Sequence, residues 1–270
     1  MQFVDRILGD ESGLGLGASV AAGPDDSLIV TRGYSREAGD PGAVLRYRRV
    51  GDEWVRSVLF AVDHDSDLMI GTSLASDGTR IAVACPSRNP AVHGQVVLLD
   101  LASDPPGVVS ITALLDDLAD HVQFGREVDI DGRWLVVGAQ DFEWPGRAGH
   151  GSISIFDLKA GERSRPAARL TAPQGVSGWG RVVAVADDRM FACAPGSFEG
   201  PGVFIIYEYQ AGEWQELQRV TPPPGSPAGD RFGFALSVEH DLMTVGAPDM
   251  PDGHGSVHTY SIKDGRFKLI

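Results

Sequence analysis

The stretch that decides the fold is residues 231–262, RFGFALSVEHDLMTVGAPDMPDGHGSVHTYSI. Apolar residues alternate over residues 232–238 and again over residues 242–245, and the two runs meet at His240-Asp241. A Gly-Ala-Pro step at residues 246–248 then leads through a polar loop to a third run that begins at Gly255. Alternation interrupted by turn residues predicts a strand, a tight turn, a strand, a loop and a strand.

Weakened copies of this pattern recur along the whole chain. Each copy opens with a large apolar residue followed by glycine, and the five steps are Leu16-Gly17, Ile70-Gly71, Phe124-Gly125, Trp179-Gly180 and Phe232-Gly233. The glycines recur about every 54 residues, and a fixed period in this range indicates a solenoid or a propeller. This length accommodates four short strands with their connections, which predicts an all-β fold of five four-stranded antiparallel blades with almost no helix.

The repeated unit resembles the FG-GAP repeat of integrin α chains, whose consensus runs Phe-Gly, an alternating strand, Gly-Asp, a second strand, Gly-Ala-Pro, a loop and Gly-x-Val-Tyr. The fifth unit matches best, while GAQ at 138–140, CAP at 193–195, ACP at 84–86 and TRG at 31–33 are degraded forms of its Gly-Ala-Pro step. The resemblance covers essentially the whole chain. It implies one five-bladed β-propeller domain over residues 1–270, with units opening near residues 16, 70, 124, 179 and 232.

The period also predicts where the two ends of the chain lie. Five periods of about 54 residues consume the 270 residues, so the N- and C-terminal segments should meet in one blade. We expect residues 3–7 and 267–270 at the outer edge of the fifth blade. Large aromatic residues at the start of an outer strand, Trp54, Trp214 and Phe267, should cover the neighbouring blade.

Charge and hydropathy limit the classes of partner. The formal net charge of −14 makes the surface repel phosphate backbones, so we expect no nucleic-acid partner. Arg46, Arg48 and Arg49 alternate within one strand-like segment, which indicates a solvated strand face rather than a basic patch. No apolar run reaches the roughly 20 residues that span a bilayer, and residues 1–10 lack the features of a signal peptide. We expect a monomer without a membrane partner.

The two cysteines give an ambiguous indication of compartment. Cys85 and Cys193 occupy equivalent places in the second and fourth units. With neighbouring strands about 4.8 Å apart, their sulfurs should lie on the order of 20 Å from each other. A disulfide needs Cα atoms within about 7 Å, so we expect free, buried thiols. Free thiols favour a reducing, cytoplasmic compartment, whereas the FG-GAP resemblance implies an extracellular one.

Three patterns suggest a cofactor or a metal ion, and each fails on its context. Residues 63–67, DHDSD, have the spacing that begins many calcium loops, but Leu68 and Leu74 occupy two positions that an EF-hand requires. Residues 13–18, GLGLGA, match a dinucleotide fingerprint, yet a strand rather than a helix is predicted to follow.

Equivalent histidines suggest zinc, since His93, His150 and His254 precede the third strands of three units. Third strands of adjacent blades should stand well over 10 Å apart if strand spacing is about 4.8 Å, too far for one ion to join them. The junctions between first and second strands are too short for the integrin type of calcium site. We therefore predict no cofactor and no metal site.

The strongest candidate for binding is the loop of the third unit, residues 141–150. Loops held on a rigid scaffold commonly carry binding residues, and exposed aromatic side chains serve as anchors or as planes on which sugars stack. The alternative is that these aromatics fold back onto a neighbouring loop. With the equivalent loops 32–41 and 249–254 on the same face, the predicted ligand-binding residues are Phe142, Trp144, Arg147, His150, Tyr34, Asp249 and His254.

The sequence contains no local catalytic motif of the common hydrolase, zinc-protease or P-loop types. We therefore predict a non-enzymatic recognition module that binds a protein partner through loops on one face. A small carbohydrate-binding lectin is the alternative. A hydrolase or lyase with carboxylates at the channel mouth is a further one, because a site can converge from several blades without a local motif.

Overall fold

The computed structural model describes residues 7, 15–33, 42–61, 67–87, 89, 94–103, 105–111, 124–140, 151–160, 165–174, 176, 178–195, 202–227, 229–239, 241–248, 254–263 and 266–270. The regular structure of these residues is entirely β-strand, and it forms five separate sheets of four antiparallel strands. In every sheet the strands follow one another in chain order, as in a meander. The predicted fold class is therefore confirmed.

The chain divides into two compact parts, which we call the N-terminal part, residues 1–112, and the C-terminal part, residues 113–270. The N-terminal part holds two sheets. The first sheet comprises β1 (Leu16–Ala22), β2 (Leu28–Arg32), β3 (Ala43–Val50) and β4 (Glu53–Ala61), and the second comprises β5 (Leu74–Ser76), β6 (Arg80–Cys85), β7 (Gln95–Asp100) and β8 (Gly107–Ile111). The expectation of one domain over residues 1–270 stays a prediction.

The C-terminal part holds the other three sheets. The third sheet comprises β9 (Glu127–Asp131), β10 (Trp134–Ala139), β11 (Ser152–Asp157) and β12 (Ala168–Thr171). The fourth comprises β13 (Val182–Ala186), β14 (Arg189–Ala194), β15 (Val203–Gln210) and β16 (Glu213–Val220). The fifth comprises β17 (Ala235–Glu239), β18 (Leu242–Ala247), β19 (Ser256–Lys263) and β20 (Arg266–Leu269).

The middle strands form the core, because the sheets within each part of the chain pack face to face. All six residues of β10 are buried, as are five of the six in β14. In the N-terminal part, Ile29 and Val44 of the first sheet pack with Ile81 and Val83 of the second sheet. A strand buried on both faces reads as a continuous apolar run, which explains why the alternation is weakest in the second strands.

In the C-terminal part, aromatic side chains at the start of the last strand of a sheet pack against the neighbouring sheet. The ring of Trp214 lies 5.0 Å from that of Trp134 in the third sheet, measured between centroids. The ring of Phe267 lies 5.5 Å from that of Phe191 in the fourth sheet. Both contacts are edge-on and confirm the predicted role of these two residues.

The glycines of the repeat mark places where main chains of successive sheets meet. A Cβ atom on Gly151 would lie 2.0 Å from the carbonyl oxygen of Trp179, and one on Gly202 would lie 1.8 Å from that of Phe232. Real Cβ atoms essentially never approach another heavy atom within 3.0 Å. Only glycine therefore allows the third strand of one unit to receive the opening step of the next.

The first sheet corrects one detail of the sequence interpretation. Arg46 was expected on a solvated strand face, but it is only 5% exposed. Its Nε donates to the hydroxyl oxygen of Ser27 at 3.0 Å, and its Nη2 donates to the carbonyl oxygen of Pro24 at 3.2 Å. The alternation failed as a guide here because a buried guanidinium finds polar partners in the turn between β1 and β2.

Both cysteines are free and buried, as predicted. Burial raises the pKa of the Cys85 thiol to about 12, against a weaker opposing effect of the hydrogen bond from Gly71. Burial also raises the pKa of Cys193. Neither thiol is therefore a reactive thiolate at neutral pH.

The meeting of the chain ends is only partly visible. Phe267 lies on β20, the outermost strand of the fifth sheet. Ile7 packs against the first sheet's cluster of Val30, Leu45 and Tyr47. Residues 1–6 lie outside the described residues, so closure through the two ends stays a prediction. No helix suited to crossing a membrane occurs in the part of the chain that the structure describes.

Candidate ligand-binding face

Most of the predicted binding residues cannot be placed. Tyr34, Phe142, Trp144, Arg147, His150 and Asp249 lie outside the described residues. His254 is described, and it is exposed just before β19. The prediction about the other six residues therefore stays a prediction, but the strands that flank two of their loops are described.

Strand register shows which ends of the sheets in the C-terminal part lie beside those loops. Ala139, after which the loop 141–150 follows, pairs with Ser152 on the far side of that loop. Ala247 pairs with Ser256 in the same way around the loop 249–253. The first strands begin at this same end, since Glu127 pairs with Gly138 and Ala235 with Gly246. We call this end of the third, fourth and fifth sheets the loop end.

The loop end carries a group of arginines. Arg126 and Arg181 directly follow the glycines that open their units, and Phe234 has that position in the fifth unit. The Arg181 Cζ lies 4.3 Å from the centroid of the Phe234 ring, and the Arg231 Cζ lies 5.9 Å from it. Two guanidinium groups therefore flank one aromatic ring, in a cation–π arrangement. We call Arg126, Arg181 and Arg231 the arginine cluster.

Charge repulsion within the arginine cluster affects the titration of its central member. The pKa of Arg181 is lowered, first by partial burial and then by the positive charges of Arg126 and Arg231. The negative charge of Glu127 acts in the opposite direction but does not reverse the shift. In a chain with a net charge of −14, this is a local concentration of positive charge.

A strained turn positions Arg231. Its φ is +54°, in the left-handed region that residues with a Cβ rarely adopt. Asp230 is 1% exposed, and its Oδ1 accepts the Phe232 N–H at 3.0 Å. The Phe234 N–H donates to the Arg231 carbonyl oxygen at 3.0 Å. Strain of this kind costs on the order of 1–3 kcal/mol and is concentrated at functional sites.

At the opposite end of these sheets, carboxylates tie neighbouring strands together. Asp129 Oδ2 accepts the Val185 N–H at 2.7 Å, and Asp188 Oδ1 accepts the indole N–H of Trp134 at 2.9 Å. Burial raises the pKa of Asp129 to about 6, although hydrogen bonds from the main chain of Val185 and Ile130 oppose the shift. These carboxylates are occupied in joining the third sheet to the fourth.

A shallow pocket of about 260 Å³ lies at the same end as the Asp188 contact. Phe191 and Phe267 line it together with Asp187, Arg189 and Glu208. Arg189 Nε lies 3.0 Å from Glu208 Oε1, so the pocket's cation is already paired. Within the described ranges, no group of His, Cys, Asp or Glu side chains is arranged to hold a metal ion.

One pair of side chains has the geometry of a nucleophile and a base. Ser256 Oγ and His258 Nε2 are 2.9 Å apart on the same face of β19. The imidazole also packs edge-on against the ring of Phe232, at 5.3 Å between centroids. A catalytic pair of this type also needs a third group that orients the base. The described residues show no such partner for His258.

Five four-stranded antiparallel meanders with buried middle strands define a β-propeller. Comparisons with solved structures agree on this fold. The acylaminoacyl peptidase of Pyrococcus horikoshii matches with a TM-score of 0.51 and 13% identity, over 95% of this chain and 39% of that one. The β-propeller domain of the Trilobed protease from Pyrococcus furiosus matches with a TM-score of 0.51 and 10% identity, over 95% and 70%.

A neuraminidase-like protein of subtype N11, from a flat-faced bat isolate, matches with a TM-score of 0.51 and 9% identity, over 99% of this chain and 78% of that one. The chain thus spans about two fifths of the length of the acylaminoacyl peptidase. At such low identities the similarity shows the fold alone. No model of a known protein family matches the sequence, and no curated protein matches it.

Proposed function

We propose that this chain is a non-enzymatic recognition module, an FG-GAP-type propeller that binds another protein through the loop end of its sheets. The observation that carries the proposal is the arginine cluster. Its charge lies at the end of the sheets from which the loops 141–150 and 249–253 emerge. Charged groups beside aromatic loop residues are suited to steering and anchoring a partner.

The carboxylates of the third sheet favour recognition over hydrolysis or lysis. A general acid or base must be within reach of a substrate proton. Asp129 instead accepts main-chain N–H groups of Ile130 and Val185, and Asp131 accepts the N–H of Asp187. These groups serve the contact between sheets rather than an open site.

A hydrolase is the second candidate, because Ser256 and His258 lie within hydrogen-bond distance. Labelling with a fluorophosphonate probe tests it directly. Labelling of the parent protein that disappears in Ser256→Ala would support the hydrolase and count against the recognition module. We expect no labelling.

The test of the recognition module compares binding to proteins and to glycans. The parent should capture a discrete protein partner after crosslinking in an extract of its source cells, and it should bind no sugar on a glycan array. Phe142→Ala combined with Trp144→Ala should abolish the capture with little loss of stability. A variant on the outer strand of the fourth sheet, Arg219→Gln, is the matched control and should retain it.

Besides retention of the partner by the double variant, two results would contradict this proposal. A loss of several kcal/mol in the unfolding free energy of the double variant would show that the two aromatics belong to the core. Selective binding to sugars, lost in the same variant, would replace the protein-binding module by the lectin alternative.

A further inference from the structure

The donors of Arg181 have no acceptor in the described part of the protein. Its guanidinium stacks on Phe234 but makes no hydrogen bond or ion pair there. A guanidinium carries five N–H donors in a planar fork, and those of Arg181 remain available to a ligand. Arg126 and Arg231 have interactions of their own, and their charges still act on Arg181.

The arrangement is suited to an anion that arrives from outside. The Arg181 Cζ lies over the Phe234 ring, and the left-handed turn holds Arg231 near the same ring. The mutual repulsion of the three guanidinium groups disfavours the folded state in the absence of a ligand. A negative charge bound among them reduces this repulsion.

The charge of the whole protein restricts the anion to a small one. With a net charge of −14, a long polyanion such as nucleic acid is repelled as it approaches. A short peptide segment with only a few carboxylates is repelled far less, because its total charge is small. A carboxylate also matches the planar fork of arginine in a bidentate contact, which a lysine cannot provide.

We propose that Arg181 is the centre of a carboxylate-binding subsite at the loop end, with Arg126 and Arg231 supplying additional positive charge. Its ligand is an aspartate or glutamate side chain of the protein partner. The subsite rests on the proposed function, because it assigns the chemistry of the partner segment that the recognition face would bind.

The test uses a defined probe in place of the unknown partner. An acetylated, amidated pentaglutamate peptide is titrated into the protein labelled with ¹⁵N, and the Nε–Hε resonance of Arg181 is assigned by its absence in Arg181→Lys. We expect this resonance to shift with saturation and the affinity to fall as NaCl is raised, because partly exposed charges are screened. A pentaglutamine peptide should leave the resonance unchanged.

Two variants and a control separate a subsite from general attraction. Arg181→Gln should weaken pentaglutamate binding at least tenfold, measured by calorimetry. Arg181→Lys should also weaken it severalfold although the charge is kept, because the bidentate fork is lost. Arg219→Gln removes an equal charge from the pair with Glu216 and should change the affinity by less than twofold. Circular dichroism checks that each variant is folded.

Three results would overturn the inference. The first is that Arg181→Gln binds pentaglutamate as tightly as the parent does, and the second is that Arg219→Gln weakens the binding as much as Arg181→Gln does. The third is competition by inorganic phosphate at the same concentration as pentaglutamate, which would indicate an unselective anion site. The recognition module itself fails on a different result, the retention of partner capture by the Phe142 and Trp144 double variant, so the two failures are distinguishable.

Discussion

Replacing Gly202 by alanine tests the contact that joins the fourth sheet to the fifth. The new Cβ would lie 1.8 Å from the carbonyl oxygen of Phe232, and the separation must grow to at least 3.0 Å. Both partners belong to the main chain, so no side-chain rotation relieves the collision. One strand must move against its sheet by more than 1 Å, in a core where Phe204 and Phe232 stack at 5.8 Å between centroids.

The expected cost exceeds that of ordinary overpacking. Extra methylene groups in a core cost about 1–3 kcal/mol, and here the rigid main chain must yield, so we expect a loss of about 3 kcal/mol or more. For a body of 150–250 residues, 1 kcal/mol corresponds to about 2–4 °C. The melting temperature of Gly202→Ala should therefore fall by about 6–12 °C, measured by calorimetry together with urea unfolding.

Two further glycine variants separate collision from backbone strain. A Cβ on Gly15 would meet nothing within 4 Å and Gly15 has no positive φ, so Gly15→Ala should change stability by less than about 0.5 kcal/mol. Gly212 also has open space but a φ of +93°, so its alanine variant should lose about 1–3 kcal/mol from strain alone. If Gly202→Ala melted within about 2 °C of the parent, the main-chain contact between the sheets would not be real.

Two other predictions concern the contacts between the third and fourth sheets. The pKa of Asp129 is about 6 in the folded protein and ordinary when unfolded, so the stability present at low pH should be lost as pH rises through 6, by about 3 kcal/mol in total. Urea unfolding between pH 4 and 7 should show this fall, and it should be absent in Asp129→Asn. Trp134→Phe should lower the free energy of unfolding by about 1.5–3 kcal/mol more than Trp214→Phe does. The indole N–H of Trp134 donates to the Asp188 carboxylate, whereas the buried indole N–H of Trp214 has no hydrogen-bond partner among the described residues. Equal losses in chemical denaturation would show that this hydrogen bond contributes nothing.

The number and type of sheets could be predicted because the repeat is a local pattern. An apolar residue followed by glycine marks the start of each first strand, and the strand periodicity of two is visible in β9 and β17, where neighbouring residues alternate in burial. The five units in phase then predicted five four-stranded sheets. The tight turn at Asp187-Asp188 was predictable for the same reason, since two polar residues separate β13 from β14.

The candidate site was less accessible to this reasoning. The sequence directed attention to exposed aromatics in the loop 141–150, whereas the arginine cluster was missed. Arg126 and Arg181 could have been found by aligning the units, because both directly follow the opening glycine. Arg231 occupies a different place in its unit, and nothing in its neighbours indicates that its φ is positive.

By itself, the sequence determined an all-β chain of five units, because alternation, turn residues and glycines act over a few neighbouring positions. The tertiary structure alone decided which of these glycines are indispensable, since the carbonyl groups that approach Gly151 and Gly202 come from the next unit. It also decided that Arg181 and Arg231 flank the ring of Phe234. Apart from that of Arg231 with Phe234, these contacts join residues about 30–50 positions apart in the chain, and their energies depend on distances across sheets that no local pattern encodes.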